Sequence, residues 1–143
     1  MDFAPQEPLP NMPSPNQYNI SIGLGCQKKT NGLHIAQVVT NLINQLESKA
    51  ECIAVPDFKR HHYNVEKAAE ILCLPLLYIP KEFLLTLQPK CLSFSERSYN
   101  LVGLGSVAEA CALAAINSNG YLLGPRIINQ GISCAFAERK GLQ

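Results

Sequence analysis

Residues 18–46 read YNISIGLGCQKKTNGLHIAQVVTNLINQL, and this stretch decides the fold. Its first part, Tyr18–Leu24, alternates apolar and polar side chains and then meets glycines, which favours a β-strand that ends there. Its second part follows a capping residue, Thr30 or Asn31, with apolar residues three and four positions apart, which is typical of an amphipathic α-helix. A strand followed directly by a helix is the unit from which parallel α/β sheets are built.

The same alternation continues downstream. Apolar runs bounded by proline predict a second and a third strand at residues 52–55 and 76–79. Further helices are predicted from Asn64 through residue 72, over residues 81–87 and over the alanine-rich residues 106–117, and further strands near residues 99–102 and at residues 120–123 and 132–137. The turn Gly124–Arg126 is too short for a helix, so the last two strands are predicted to be antiparallel. The pattern predicts a three-layer α/β/α sandwich with a mostly parallel, mixed sheet.

A tail precedes this pattern. The chain has 143 residues, enough for one domain and a tail, and residues 1–17 hold five of its ten prolines. We expect residues 1–17 to be a disordered, proline-rich tail and residues 18–143 to be the folded domain. Apolar residues make up 47% of the chain and charged residues 16%, which indicates many buried positions.

Composition excludes several classes of function. The net charge of +1 lacks the basic excess of a nucleic-acid-binding protein, and no apolar run approaches the ~18 residues of a membrane span. Residues 1–7 do not resemble a secretion signal, so we expect a cytoplasmic protein whose six scattered cysteines are reduced and mostly buried. The adjacent residues His61 and His62 point apart on an extended chain, so no metal site is predicted, and no cofactor is expected.

Basic residues concentrate in the loops that follow the predicted strands. Six of the twelve lie there, against two acidic residues. They are Lys28, Lys29, Lys59, Arg60, Lys81 and Arg126. Ligands of open parallel sheets bind at the carboxyl ends of the strands, so this edge is predicted to be cationic and to suit a ligand with several carboxylates or phosphates. The alternative is that charges gather in loops because loops are solvated.

Two glycine-rich elements lie at this predicted edge. Gly23-Leu24-Gly25-Cys26-Gln27-Lys28 begins like a dinucleotide fingerprint, but Lys28 stands where the third glycine belongs. A nucleotide site, a tight turn and a loop for another anion all stay open, and Cys26 is either a reactive thiol or a small residue chosen for fit. In the second element, Ser106 and Glu109 fit a capping box, and the helix N-terminus behind Gly103 and Gly105 is also a potential anion site.

Five stretches, in order, resemble the CobE/CbiG C-terminal domain family of cobalamin biosynthesis. They are SIGLGCQKKT at 21–30, VPDFK at 55–59, AAEILCLPL at 68–76, GSVAEACAL at 105–113 and GISCAFA at 131–137. The resemblance spans roughly residues 18–139. Two regions depart from it: residues 60–64 lack an expected Glu-Gly, and Arg126 lies in a turn where lysine is commoner.

The resemblance implies a free-standing protein of corrin-ring synthesis, related to porphyrin metabolism. We expect it to bind a polycarboxylate corrinoid or precorrin intermediate in an accessory or carrier role, with other enzymes of the pathway as possible partners. One alternative is cobalt-precorrin-5A hydrolase activity, alone or with a separate partner, which opens a lactone and releases acetaldehyde. A second alternative is a nucleotide-binding regulatory module.

The expected ligand-binding residues combine the resemblance with the cationic edge. They are Gly23, Gly25, Cys26, Lys28, Lys29, Thr30, Asp57, Lys59, Arg60, Gly105, Ser106, Val107, Glu109 and Arg126. Hydrolysis of a lactone would need an activated water and an oxyanion site. Asp57 and Glu109 are the two carboxylates that could serve as its base.

Overall fold

The computed structural model describes residues 18–141, so the predicted proline-rich tail at residues 1–17 lies outside the described residues. The strands are β1 (Ile20–Gly25), β2 (Cys52–Pro56), β3 (Leu76–Ile79), β4 (Gly120–Leu122), β5 (Ile127–Asn129) and β6 (Ile132–Arg139). The α-helices are α1 (Gly32–Ile43), α2 (Tyr63–Leu72), α3 (Lys81–Leu87), α4 (Glu96–Val102) and α5 (Ala108–Ala115). Short 3₁₀ turns follow β2 and α3.

All six strands form one sheet in the order β3-β2-β1-β6-β4, and β5 also pairs with β6. Strands β1, β2 and β3 are mutually parallel. Strand β6 runs antiparallel to β1, β4 and β5, so it alone opposes the common direction of the described strands. The predicted mostly parallel, mixed sheet is confirmed, and so is the antiparallel pairing near the C-terminus.

Helices cover both faces of the sheet. Successive residues of a strand point to opposite faces, so in β2 Ile53 packs with α1 and α2 whereas Ala54 packs with α3 and α5. Strands buried on both faces are apolar throughout, as the short runs of the sequence suggested. The three-layer α/β/α sandwich is therefore confirmed.

Helix α5 packs directly on β1. All eight of its residues are buried, and most of them are alanine, which lets the helix approach closely. A Cβ atom on Gly23 would overlap the carbonyl oxygen of Ala108 and lie 2.6 Å from the amide nitrogen of Ala112. The Ser21 hydroxyl also donates a hydrogen bond to the carbonyl of Ala112 at 2.6 Å. Gly23 thus serves the contact between helix and sheet.

Several local predictions were wrong. Residues 99–102 lie in α4, because the Ser95 hydroxyl caps this helix at the amide of Ser98 (3.1 Å) and Gly103 ends it with φ of +77°. Helix α2 begins at Tyr63, and the side-chain amide of Asn64 bonds the loop after β1 instead of capping a helix. The strand β5 was not predicted, because a run of three residues carries no periodicity.

The capping box is also wrong in detail. The backbone N–H of Ser106 donates to Oε1 of Gln88 at 2.9 Å, so Glu109 does not reach back to it.

Within residues 18–141, no helix is long and apolar enough to cross a membrane. The six cysteines are free thiols, and three of them are buried.

Candidate functional site

A cavity of about 510 Å³ opens at the edge where β1 and β2 end. Its walls come from the loops after these strands, from α4, from the start of α5 and from the β5–β6 hairpin. The predicted residues that line it are Gly25, Cys26, Lys28, Lys59, Gly105, Val107 and Arg126. Residues from both glycine-rich elements therefore meet in one cavity, as the rule for parallel sheets predicted.

Other predicted residues are not among those that line the cavity. They are Gly23, Lys29, Thr30, Asp57, Arg60, Ser106 and Glu109. Gly23 lies beneath α5, and the Arg60 guanidinium lies over the ring of Tyr78, 4.6 Å from its centroid. Ser106 and Glu109 are buried in the wall behind the cavity.

Sequence reasoning missed the wall that α4 forms. Arg97, Ser98 and Leu101 of this helix line the cavity, together with Ser95 at its cap. A usable signal was present, since Ser95 and Gly103 bracket seven residues as an N-cap and a C-terminal glycine do. Phe58 and Ile128 were also missed, because a lone apolar residue in a loop or short strand has no distinctive pattern.

The cavity is cationic. Lys28, Lys59, Arg97 and Arg126 line it, and the described lining includes no aspartate, glutamate or histidine. The Lys59 ammonium donates a hydrogen bond to the carbonyl of Cys26 at 2.6 Å. Among residues 18–141, no hydrogen-bond or ion-pair partner is found for the other three charged side chains. Uncompensated cations in a concave surface raise the local concentration of an anion.

The loop after β1 is held from the β2 side. Besides the contact of Lys59 with Cys26, the Asn64 amide donates to the carbonyls of Gln27 (3.0 Å) and Thr30 (2.9 Å). Burial raises the pKa of the Cys26 thiol, although Lys59 acts in the opposite direction. The thiol therefore stays protonated at neutral pH, which favours the interpretation of Cys26 as a small residue chosen for fit.

A buried carboxylate organises the opposite side. Glu109 is fully buried and accepts five hydrogen bonds. The donors are the amides of Leu92, Ser93 and Arg126 and the hydroxyls of Ser93 and Ser106, at 2.8–3.0 Å. Burial would raise the pKa of the Glu109 carboxyl, but these hydrogen bonds, led by the backbone N–H of Ser93, lower it below the ordinary value.

A second contact fixes the start of α5. The Gln88 side chain bonds both backbone groups of Ser106, accepting from its N–H and donating to its carbonyl at 2.9 Å each. Within the part of the chain that the structure describes, no side-chain hydrogen bond caps α5 at Val107. Val107 and Ala108 line the cavity, so the positive end of this helix lies at the site.

His62 follows the 3₁₀ turn after β2 and is not among the residues that line the cavity. Burial lowers the pKa of His62, and the nearby charges of Lys59 and Lys28 lower it further. Among the described residues, no group of three His, Cys, Asp or Glu side chains is placed to hold a metal ion.

The chain is similar to a known protein family and to several solved structures. The family model described as "Cobalamin synthesis G C-terminus" matches residues 20–137. Among curated proteins none matches. The crystal structure of CobE, "a protein from the cobalamin (vitamin B12) biosynthetic pathway", is similar with a TM-score of 0.77 and 25% identity, over 89% of this chain and 94% of that one.

Two further structures are similar. The cobalamin biosynthesis protein ChiG from Agrobacterium tumefaciens str. C58 has a TM-score of 0.69 and 26% identity, over 85% of this chain and 98% of that one. A cobalamin biosynthesis protein G homologue from Sulfolobus solfataricus shares the fold, with a TM-score of 0.58 and 21% identity, over 89% of this chain and 38% of that one.

Proposed function

This chain belongs to the cobalamin synthesis G C-terminal family, and on that premise we propose that it binds a polycarboxylate corrinoid or precorrin intermediate as an accessory or carrier protein. One observation carries the proposal. Four cationic side chains and, among residues 18–141, no carboxylate line a cavity at the edge of the sheet where ligands of such folds bind.

The cavity also matches the apolar part of such a ligand. Corrin precursors combine an apolar ring with acetate and propionate side chains. Phe58, Leu101 and Ile128 offer apolar contact, and the guanidinium groups of Arg97 and Arg126 suit carboxylates, which they can bind through two hydrogen bonds. The backbone N–H groups at the start of α5 can donate hydrogen bonds to a further carboxylate.

The same residues favour binding over lactone hydrolysis by this chain alone. A general base must reach the proton that it removes. Glu109 is buried and already accepts five hydrogen bonds, and its lowered pKa makes it a poor base. Asp57 is not among the residues that line the cavity. Neither of the two predicted carboxylates therefore fits the role of that base in the cavity.

The test is an absorbance titration of the full chain with hydrogenobyrinic acid, combined with a headspace assay for acetaldehyde from cobalt-precorrin-5A. We expect a saturable spectral shift and no acetaldehyde. Release of acetaldehyde would identify a hydrolase. A rise in melting temperature with ATP or NAD, without a spectral shift, would favour the nucleotide-binding alternative.

A pair of variants ties the signal to the cavity. We expect Arg97→Gln to weaken the affinity for hydrogenobyrinic acid about tenfold, because an arginine–carboxylate pair is lost. The control Lys49→Gln removes an exposed cation near the start of β2, at the opposite edge of the sheet. Equal affinity of both variants would place the ligand elsewhere.

A further inference from the structure

Three walls of the cavity each combine a cationic side chain with a large apolar one. The pairs are Phe58 with Lys59, Leu101 with Arg97, and Ile128 with Arg126. Members of the α4 pair are four residues apart, so they lie on one face of the helix. Arg126 comes directly before β5 and Ile128 lies within it, and both residues line the cavity. Each pair thus offers an apolar contact beside a positive charge.

The apolar members of these pairs are exposed. Leu101 is 71% exposed, Ile128 58% and Phe58 40%, so the cavity is open on the sides that they form. Exposed apolar groups framed by charge mark a site of contact with a ligand or partner. The volume of about 510 Å³ lies in the range of about 300–1,000 Å³ that encloses a drug-sized molecule. A tetrapyrrole with its carboxylate side chains is larger than a cavity of about 510 Å³.

We infer that the cavity takes one carboxylate-bearing edge of the macrocycle and leaves the rest of the ring outside the protein, an inference that rests on the proposed function. The unit recognised is a pyrrole-type ring with short carboxylate side chains. Apolar side chains contact the ring, and the neighbouring cations bind its carboxylates. The exposed part of the ring stays open to a second protein.

A single-ring probe tests this inference. Porphobilinogen is one pyrrole with one acetate and one propionate. Hydrogenobyrinic acid is bound first to the full chain and monitored by absorbance, and porphobilinogen is then added. We expect competitive displacement with an affinity about a hundredfold to a thousandfold weaker than that of the macrocycle, since fewer contacts form. Citrate, which carries carboxylates without a ring, should displace no more than chloride at equal ionic strength.

The outcomes separate the two proposals. If hydrogenobyrinic acid gives no saturable shift, the proposed function fails before any competitor is added. If hydrogenobyrinic acid binds and porphobilinogen does not displace it, binding of a single edge is overturned while the proposed function stands. Displacement by citrate as effective as that by porphobilinogen would reduce the site to one for simple anions and would also overturn the inference.

Chemical protection gives an independent readout. Bound hydrogenobyrinic acid is treated with a carbodiimide and an amine and then extracted. Mass spectrometry counts the carboxylates that have reacted. We expect some carboxylates to be protected and the others to react as in free ligand. Protection of all or of none contradicts binding by one edge.

A matched pair of variants tests the apolar contact. Leu101→Ser should weaken the binding of both hydrogenobyrinic acid and porphobilinogen about threefold to tenfold. Leu85→Ser alters a leucine that is 48% exposed on α3 and does not line the cavity, so it should leave both affinities unchanged. Equal affinities of the two variants for hydrogenobyrinic acid and for porphobilinogen would contradict the inference that apolar side chains of the cavity contact the ring.

Discussion

The carboxylate of Glu109 accepts a hydrogen bond from the backbone N–H of Arg126 at 2.8 Å. A fully buried negative charge on α5 therefore holds in place a residue that contributes a cation to the cavity. The same carboxylate binds the two amides of Leu92 and Ser93 ahead of α4. Glu109 thus connects three segments around the site, although it is not among the residues that line the cavity.

Neutralising this carboxylate should destabilise the protein. In Glu109→Gln, the amide NH₂ would face backbone N–H donors that now bond a carboxylate oxygen, leaving buried donors unpaired. We expect the free energy of unfolding, measured with urea, to fall by about 2–3 kcal/mol. Glu70→Gln changes an exposed glutamate on α2 and should have an effect within about 0.5 kcal/mol. Similar losses in both variants would contradict the role of Glu109.

The stability should depend on acid through the same group. Because the native pKa of Glu109 is lowered, the unfolded chain binds the proton more tightly, and stability rises with pH. This contribution is complete above the ordinary glutamate pKa of about 4.3 and is lost as the pH falls through the lower native value. In urea unfolding, the difference between the native chain and Glu109→Gln should be constant down to about pH 5 and then shrink. A difference that grows in acid would refute this assignment.

Two glycines of one strand should respond differently to alanine. At Gly23 the added methyl group meets the backbone of α5, which cannot yield without moving the helix, and we expect a loss of about 3 kcal/mol or more. At Gly25 the new Cβ atom meets only the Ser133 side chain at 3.6 Å, an ordinary contact. The free energy of unfolding of Gly25→Ala should therefore lie within about 1 kcal/mol of that of the native chain. Thermal and urea unfolding measure the stability of both variants. A larger loss in Gly25→Ala than in Gly23→Ala would contradict the role of Gly23 in packing.

Adjacent lysines should differ in binding. Lys28 lines the cavity and Lys29 does not. Lys28→Gln should weaken the affinity for hydrogenobyrinic acid about tenfold, or about 1.4 kcal/mol, whereas Lys29→Gln should change it less than twofold. Absorbance titrations at low and high salt provide the measurement, and the difference between the variants should narrow with salt. Equal losses would mean that only the general charge of the edge matters.

The cysteines should react in an order set by exposure. Cys73 is exposed at the end of α2. Burial raises the pKa of the Cys26 thiol above its ordinary value, and it raises the pKa of Cys52 and of Cys134 to about 12. Iodoacetamide at neutral pH should modify Cys73 at least about tenfold faster than Cys26. Peptide mass spectrometry after timed quenching gives the two rates. Faster labelling of Cys26 would revive the reactive-thiol interpretation.

Local sequence patterns predicted much of the fold. The alternation of Tyr18–Leu24 and the capped periodicity that follows predicted β1 and α1, and prolines bounded β2 and β3. The rule that ligands bind at the carboxyl ends of parallel strands predicted Lys28 and Lys59 at one edge of the sheet, and both line the cavity there. These predictions succeeded because each depends on neighbours in the chain or on a general property of the sheet.

The candidate site depends on contacts between residues distant in sequence, which no local pattern predicts. Gly105 lies against the Phe94 ring, and Arg97 reaches the cavity only because α4 crosses it. Glu109 satisfied a capping motif in sequence, but apart from Ser106 its hydrogen-bond partners lie 16 and 17 residues earlier and 17 residues later in the chain.

The sequence by itself determined most of the strands and helices, the buried faces and the cationic edge, because periodicity and capping act over a few residues. Only the tertiary structure decided which cations line the cavity, that Gly23 serves packing and that Glu109 is a buried hub. Those roles depend on segments distant in sequence meeting at fixed distances, and hydrogen bonding and close packing set these distances only in the folded chain.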